Sequence, residues 1–278
     1  MAYKSILTVW DGLESSQATF QAALQLTREN DAHLSVLCLG YDRFQPAFAY
    51  VDIAPVMVNE SITGARKQAE DLEREVRGIL EIEDVKWSIQ TEIAQLSGLS
   101  HIVGDVARFN DLVVLPQPYT NDGDDKPASI VEAALFGGNA PVLVHPTSGM
   151  KSMGKRIVIA WNENNEALSA IRAALPFIKA ADTVEVVIIA PDRHDADRSD
   201  PGAAISAMLS RQGVSVSVSI LPRTLSKTSD ILNRHVTESG ADFLIMGAYG
   251  HSRFRERILG GATRNTLESA PVPVLMAH

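Results

Sequence analysis

Ile6-Leu7-Thr8-Val9-Trp10-Asp11 has a second version further along the chain, Ile157-Val158-Ile159-Ala160-Trp161-Asn162. Ala22-Ala23-Leu24 and Ala173-Ala174-Leu175 match at the same offset of 151 residues. Asp111-Leu112-Val113-Val114-Leu115 then faces Asp242-Phe243-Leu244-Ile245-Met246, and Ala140-Pro141-Val142-Leu143-Val144 faces Val272-Pro273-Val274-Leu275-Met276. The matched segments keep their order while their spacing drifts. Two copies are too few for a solenoid, so the pattern reads as a duplicated domain.

Each copy alternates strand-like and helix-like segments, β-α-β-α-β-α-β-α-β. Arg156 to Trp161 is a continuous apolar run, as expected of a strand covered on both faces. Glu166 to Lys179 follows with apolar Leu168, Ile171, Leu175 and Ile178 at helical spacing, and Pro176 predicts a bend or an early stop. Val184 to Ala190 is a second buried strand. Val214 to Ile220 alternates strictly, which predicts a half-exposed strand at an edge. Asp230 to Glu238 is helical, with Thr228 or Ser229 available as a cap. Asp242 to Met246 and Val272 to Met276 complete the copy.

This order predicts an α/β fold: two tandem doubly wound domains, each a five-stranded mostly parallel sheet with helices on both faces. A pseudo-twofold relation between the copies is expected. The first domain is placed at 1–147 and the second at 154–278, with a small, polar, glycine-bearing linker between Pro146 and Gly154. The stretch from Tyr41 to about Glu60, with Phe44, Phe48, Tyr50 and Pro55, reads as a long connection.

Composition limits the function classes. The 278 residues carry a net charge of -9, which argues against a general nucleic-acid binder. No uncharged apolar stretch of about 18 residues is present, so no membrane span is expected. The opening run is too short for a secretory signal. The lone Cys38 forms no intrachain disulfide, reads as a buried hydrophobe and fits a cytoplasmic location. Asp192 to Arg198 has one histidine and no repeated ligand spacing, so it reads as a solvated loop and no metal site is assigned.

The chemistry concentrates after the strand ending at Met246. Gly247-Ala248-Tyr249-Gly250-His251-Ser252-Arg253 leads through Arg255 and Arg257 to Gly260-Gly261-Ala262-Thr263. Open α/β sheets hold ligands at the carboxyl ends of their strands. Glycines there let the backbone approach a phosphate, and a helix starting near Ala262 aims its first N–H groups at an anion. Thr263 adds a hydroxyl, and the arginines and His251 add positive charge.

This segment resembles the ATP-binding signature of the universal stress protein family: Gly, two residues, Gly, nine residues, Gly, then Ser or Thr. Gly247, Gly250 and Gly260 fall in that spacing, while Gly261 stands where the family has Ser or Thr. The resemblance covers both copies and matches a tandem member of the family. It implies an adenine nucleotide, ATP or alternatively AMP or ADP, with Mg²⁺ accompanying the triphosphate. Trp161, Asn162, Ala190, Pro191 and Met246 would serve the nucleoside side. Gly247, Gly250, His251, Arg253, Gly260, Gly261, Ala262 and Thr263 would serve the phosphates. At the strand end, where the family usually carries an acid, this copy has Asn162.

The first copy keeps Asp11 at that strand end, but Pro116-Gln117-Pro118-Tyr119 replaces the glycines and Asn121 to Asp125 is acidic. It reads as a non-binding partner. No general base or nucleophile stands out, so at most a weak ATPase is expected. The alternative is a nucleotide-free scaffold for protein partners in which the repeat serves as a rigid pseudo-dimer; association into a homodimer is compatible with either.

Overall fold

The computed structural model describes residues 2–42, 54–95, 98–119, 126–146, 153–189, 201–248 and 261–278. The first copy supplies β1 (Ser5–Trp10), α1 (Glu14–Asn30), β2 (His33–Tyr41), α2 (Ala54–Leu80), β3 (Lys86–Ala94), α3 (Leu99–Ala107), β4 (Leu112–Pro116), α4 (Lys126–Glu132) and β5 (Val142–His145). A π-helical turn, Ala133–Gly137, continues α4. The second copy supplies β6 (Arg156–Ala160), α5 (Asn165–Ala173), α6 (Leu175–Ala180), β7 (Thr183–Ile189), α7 (Ala203–Arg211), β8 (Ser217–Leu221), α8 (Thr228–Ser239), β9 (Phe243–Gly247), α9 (Gly261–Ser269) and β10 (Val274–Ala277).

The chain folds as two compact units. One comprises Tyr3–Pro116 and Asp124–Ala140; the other comprises Met1–Ala2, Gln117–Gly123 and Pro141–His278. In the first, the strands run β3-β2-β1-β4, all parallel. In the second, the order is β5-β10-β9-β6-β7-β8, parallel except where β5 meets β10. β5 thus belongs to the first copy by sequence and to the second unit by contact. Its register with β10 sets Val144 opposite Val274 and Val142 opposite Met276.

The repeat recurs at the level of single hydrogen bonds. Asp111 accepts from the backbone N–H groups of Lys4 and Ser5 at 2.7 and 3.0 Å. Asp242 accepts from those of Lys155 and Arg156 at 3.3 and 2.8 Å. In both copies one carboxylate therefore ties the start of the first strand to the entry of the fourth. The cores are aliphatic: Ile6, Leu7, Leu34 and Leu112 in one unit, and Val158, Ile159, Leu244 and Leu275 in the other, are buried. Cys38 is buried with them, and burial pushes its thiol up to about 12.

Several local expectations meet a physical refinement. The helix after β6 breaks at Ala174, two residues before Pro176, because the ring tolerates only a first-turn position of α6. β8 is the edge strand expected, though it begins at Ser217. α8 begins at Thr228, so Thr228 and Ser229 lie within it; Lys227 precedes it and no side chain caps it. α2 begins at Ala54, with Pro55 in its first turn, so helix replaces the last third of the long connection expected to Glu60. The rest of that connection, most of the linker, and Asp192 to Arg198 lie outside the described residues. No helix among the described residues is long and apolar enough to cross a membrane.

One buried group makes stability pH-dependent. His145, at the end of β5, is 5% exposed, and its Nδ1 has no hydrogen-bond partner. Burial holds its imidazole below the ordinary range, against a smaller opposing pull from the backbone at Pro146. The folded imidazole stays neutral where the unfolded one, titrating near 6.5, takes a proton. Stability contributed at neutral pH is therefore lost as pH falls below about 6.5, by at most about 1.4 kcal/mol per pH unit. Urea unfolding at pH 7.5 and 5.5 should show a smaller acid-induced loss for His145→Gln than for the wild type. An equal loss would remove His145 as the source.

Candidate functional site

The carboxyl ends of β6, β7 and β9 meet in register. Ala160 pairs with Met246 and Val187, and the Trp161 N–H donates to the Val187 carbonyl at 2.9 Å. Trp161 is half-buried and Asn162 exposed where the chain leaves β6. Asn162 Oδ1 accepts from the Asn164 N–H at 3.3 Å, and Glu163 between them has φ of +62°. This turn delivers the chain into α5. The first copy builds the same turn: Asp11 Oδ1 accepts from the Leu13 N–H at 3.1 Å, around Gly12 with φ of +77°. An acid or amide at the strand end is thus used first to shape a backbone turn, whatever it then offers a ligand.

Asn164 was not singled out by sequence, and it is the most suggestive polar group here. It immediately precedes α5, and its Nδ2 is buried without a hydrogen-bond partner. An orphaned donor beside a helix amino terminus fits an oxygen-rich ligand such as a ribose or phosphate. The sequence signal was the Asn-x-Asn spacing before the helix, which also reads as an ordinary turn.

At the end of β9, Gly247 follows the buried Met246 and lies against the first turn of α5. A Cβ on Gly247 would stand 2.5 Å from the Ala167 nitrogen and 2.8 Å from the Glu166 carbonyl carbon. The glycine is therefore required by strand-helix packing, independently of any phosphate. α9 opens at Gly261; Gly261 and Ala262 are exposed, whereas Thr263 is 4% exposed. Of the residues expected from sequence, the structure brings together Trp161, Asn162, Met246 and Gly247 at adjacent strand ends. Gly261, Ala262 and Thr263 form the first turn of α9. Ala190, Pro191, Gly250, His251, Arg253 and Gly260 lie outside the described residues.

The equivalent place in the first copy is narrow among the described residues. Pro116 occupies the position of Gly247, and Ser16 that of Ala167. Asp11, 8% exposed, also accepts from the Ser16 hydroxyl at 2.8 Å. Pro116, Pro127 and Ile130 line a cavity of about 10 Å³ beside it. That space is enough for about one water, against the several hundred Å³ of a typical ligand pocket.

The universal stress protein family model matches residues 153–278. Over that segment, just under half of the chain, the sequence is thus similar to the universal stress protein family. A universal stress protein of Synechocystis sp. is 31% identical over 68 residues, which is 24% of this chain and 23% of that relative. The chain thus aligns with under a quarter of the curated relative's length. A universal stress protein from Archaeoglobus fulgidus superimposes over 98% of this chain and 97% of its own, with a TM-score of 0.73 at 16% identity. A Pseudomonas aeruginosa protein covers 99% and 92% with a TM-score of 0.64 at 14% identity. These two likenesses concern the fold, and they extend it over the first half, where the universal stress protein motif is absent.

Proposed function

We propose that this chain is a universal stress protein that binds an adenine nucleotide, ATP with Mg²⁺, in its second copy and serves a stress response in the cytoplasm. The observation that carries the reading is the convergence of the β6 and β9 ends, with Gly247 opening the glycine-spaced segment that leads to the exposed first turn of α9. Trp161, Asn162 and Met246, with Ala190 and Pro191, would face the nucleoside, and Asn164 would offer its unpaired amide. Gly250 and Gly260 would let backbone approach the phosphates. The N–H groups of Gly261 and Ala262 would receive them, with Thr263 beneath and His251 and Arg253 adding charge. Mg²⁺ would screen charge on the triphosphate. The first copy, with Asp11 committed and its cavity narrow, would contribute no second nucleotide. Occupancy then acts as a switch or sensor, with slow hydrolysis at most.

Isothermal titration with MgATP tests the reading. Micromolar binding at about one site per chain is expected, weakened at least about tenfold by Gly250→Asp, which sets a carboxylate where phosphate oxygens should lie. Absence of binding below millimolar would overturn it. That outcome would favour the nucleotide-free scaffold, a reading suggested by the narrow cavity of the first copy.

A further inference from the structure

The strand end that lost its phosphate glycines in the first copy is not idle. After β4 the chain leaves its own unit, and Gln117 to Tyr119 group with the second. Gln117 fastens there twice. Its backbone N–H donates to the His145 carbonyl at 2.9 Å, and its side-chain Nε2 donates to the Leu267 carbonyl at 2.6 Å. Leu267 lies in the last turn of α9, where helix carbonyls have no partner within the helix. Gln117 is thus a carboxyl-terminal cap supplied from another part of the chain. Two residues on, the Tyr119 ring lies 4.8 Å from the Arg264 guanidinium, in the first half of α9. Tyr119 holds φ of +65°, a conformation that costs a non-glycine residue of order 1 kcal/mol and persists only where surroundings impose it. Asn233 of α8 adds a tether, its Nδ2 donating to the Ser269 hydroxyl at 2.9 Å.

We propose that Gln117 and Tyr119 are positioning residues for α9, and through it for the anion end of the nucleotide pocket; the second half of this statement rests on the nucleotide reading above. The segment has given up its own phosphate-binding role and braces the phosphate helix of the other copy. Gln117 fixes the helix at its carboxyl end, and Tyr119 holds it nearer its amino end. The N–H groups of Gly261 and Ala262 are then presented at a set position. A helix that rocks about the Asn233 tether would spread them over a wider volume and bind an anion less tightly.

The test uses the full chain with Gln117→Met, which keeps length and volume but removes the donor, Tyr119→Leu, which removes the ring face, and Tyr119→Phe, which retains it. Amide hydrogen exchange over 261–269 is measured first, without nucleotide. It should quicken in Gln117→Met and Tyr119→Leu, stay at the wild-type rate in Tyr119→Phe, and be unchanged in α1 in all three. MgATP affinity is then measured by titration. It should fall about tenfold in Gln117→Met, the scale of one lost hydrogen bond, with Tyr119→Phe at the wild-type value. Unchanged exchange in α9 would overturn the brace, even with normal wild-type binding. Quicker exchange with unaltered affinity would overturn the link to the pocket. Quicker exchange in a chain whose wild type binds no nucleotide would support the brace and sink the nucleotide reading alone.

Discussion

Gly247→Ala should destabilise the second unit by about 2–3 kcal/mol, the upper range for overpacking. The added methyl group would fall 2.5 Å from the Ala167 nitrogen, 2.8 Å from the Glu166 carbonyl carbon and 3.0 Å from the Ala167 Cα. All three are backbone atoms in the first turn of α5, so no rotamer change relieves the clash. Either β9 or α5 must shift. If α5 shifts, the Asn162–Asn164 turn leading into it shifts too, so nucleotide affinity should fall even at temperatures where the variant is fully folded. Gly261→Ala is the matched control. Among the described residues its Cβ would find nothing nearer than Asn265 Nδ2 at 4.0 Å, and it sits in a helix that alanine favours. Urea unfolding should separate the two glycines clearly. Equal stability of the two variants would show that β9 and α5 do not approach as described.

The second large effect separates two tryptophans that sequence alone makes equivalent. Trp10 and Trp161 occupy matching strand ends, yet Trp10 is 2% exposed while Trp161 is half-buried. Trp10 meets Phe20 edge-on at 5.2 Å between centroids, and its Nε1–H points to a Glu75 carboxylate oxygen at 3.4 Å. Trp10→Ala should therefore cost about 3–5 kcal/mol, as for other buried aromatics. Trp161→Ala should cost about 1 kcal/mol and instead reduce MgATP affinity. In a Trp10→Phe, Trp87→Phe background, Trp161 fluorescence should respond to MgATP. Comparable unfolding costs for the two alanine variants would refute the difference in burial between the two tryptophans.

The fold was legible because its signals are local and repeated. Continuous apolar runs such as Ile157 to Ala160 marked covered strands, the alternation around Val218 marked an edge, and Pro176 marked a helix break. What escaped depends on partners distant in sequence. Nothing within Val142 to His145 itself shows that β5 pairs with β10, a pairing that the family resemblance implies, because the register is set between strands distant in sequence. The start of α2 at Ala54 was hidden because Pro55 reads as a breaker unless the first turn of a helix is already suspected. Thr228 and Ser229 have cap chemistry, but the helix starts at Thr228 itself. The placing of Trp161, Asn162, Met246 and Gly247 at adjacent strand ends was legible in the repeat and the glycine spacing. The packing demand on Gly247 could not be seen, since it arises from the backbone of α5. Gln117 and Tyr119 were visible only as replacements for lost glycines, because their contacts lie on a helix roughly 150 residues away in sequence.

Assigning β5 to the second unit has a consequence for how the chain can be divided and how it is made. A fragment beginning at Met153 would hold every motif of its copy and still lack one strand. Its β10 would present bare N–H and C=O groups along one side, a surface prone to recruit a strand from another molecule. During synthesis β5 emerges well before β10, so the β5–β10 ladder forms only once the end of the chain has been made. The second copy's sheet therefore stays open along β10 until it meets a strand made long before.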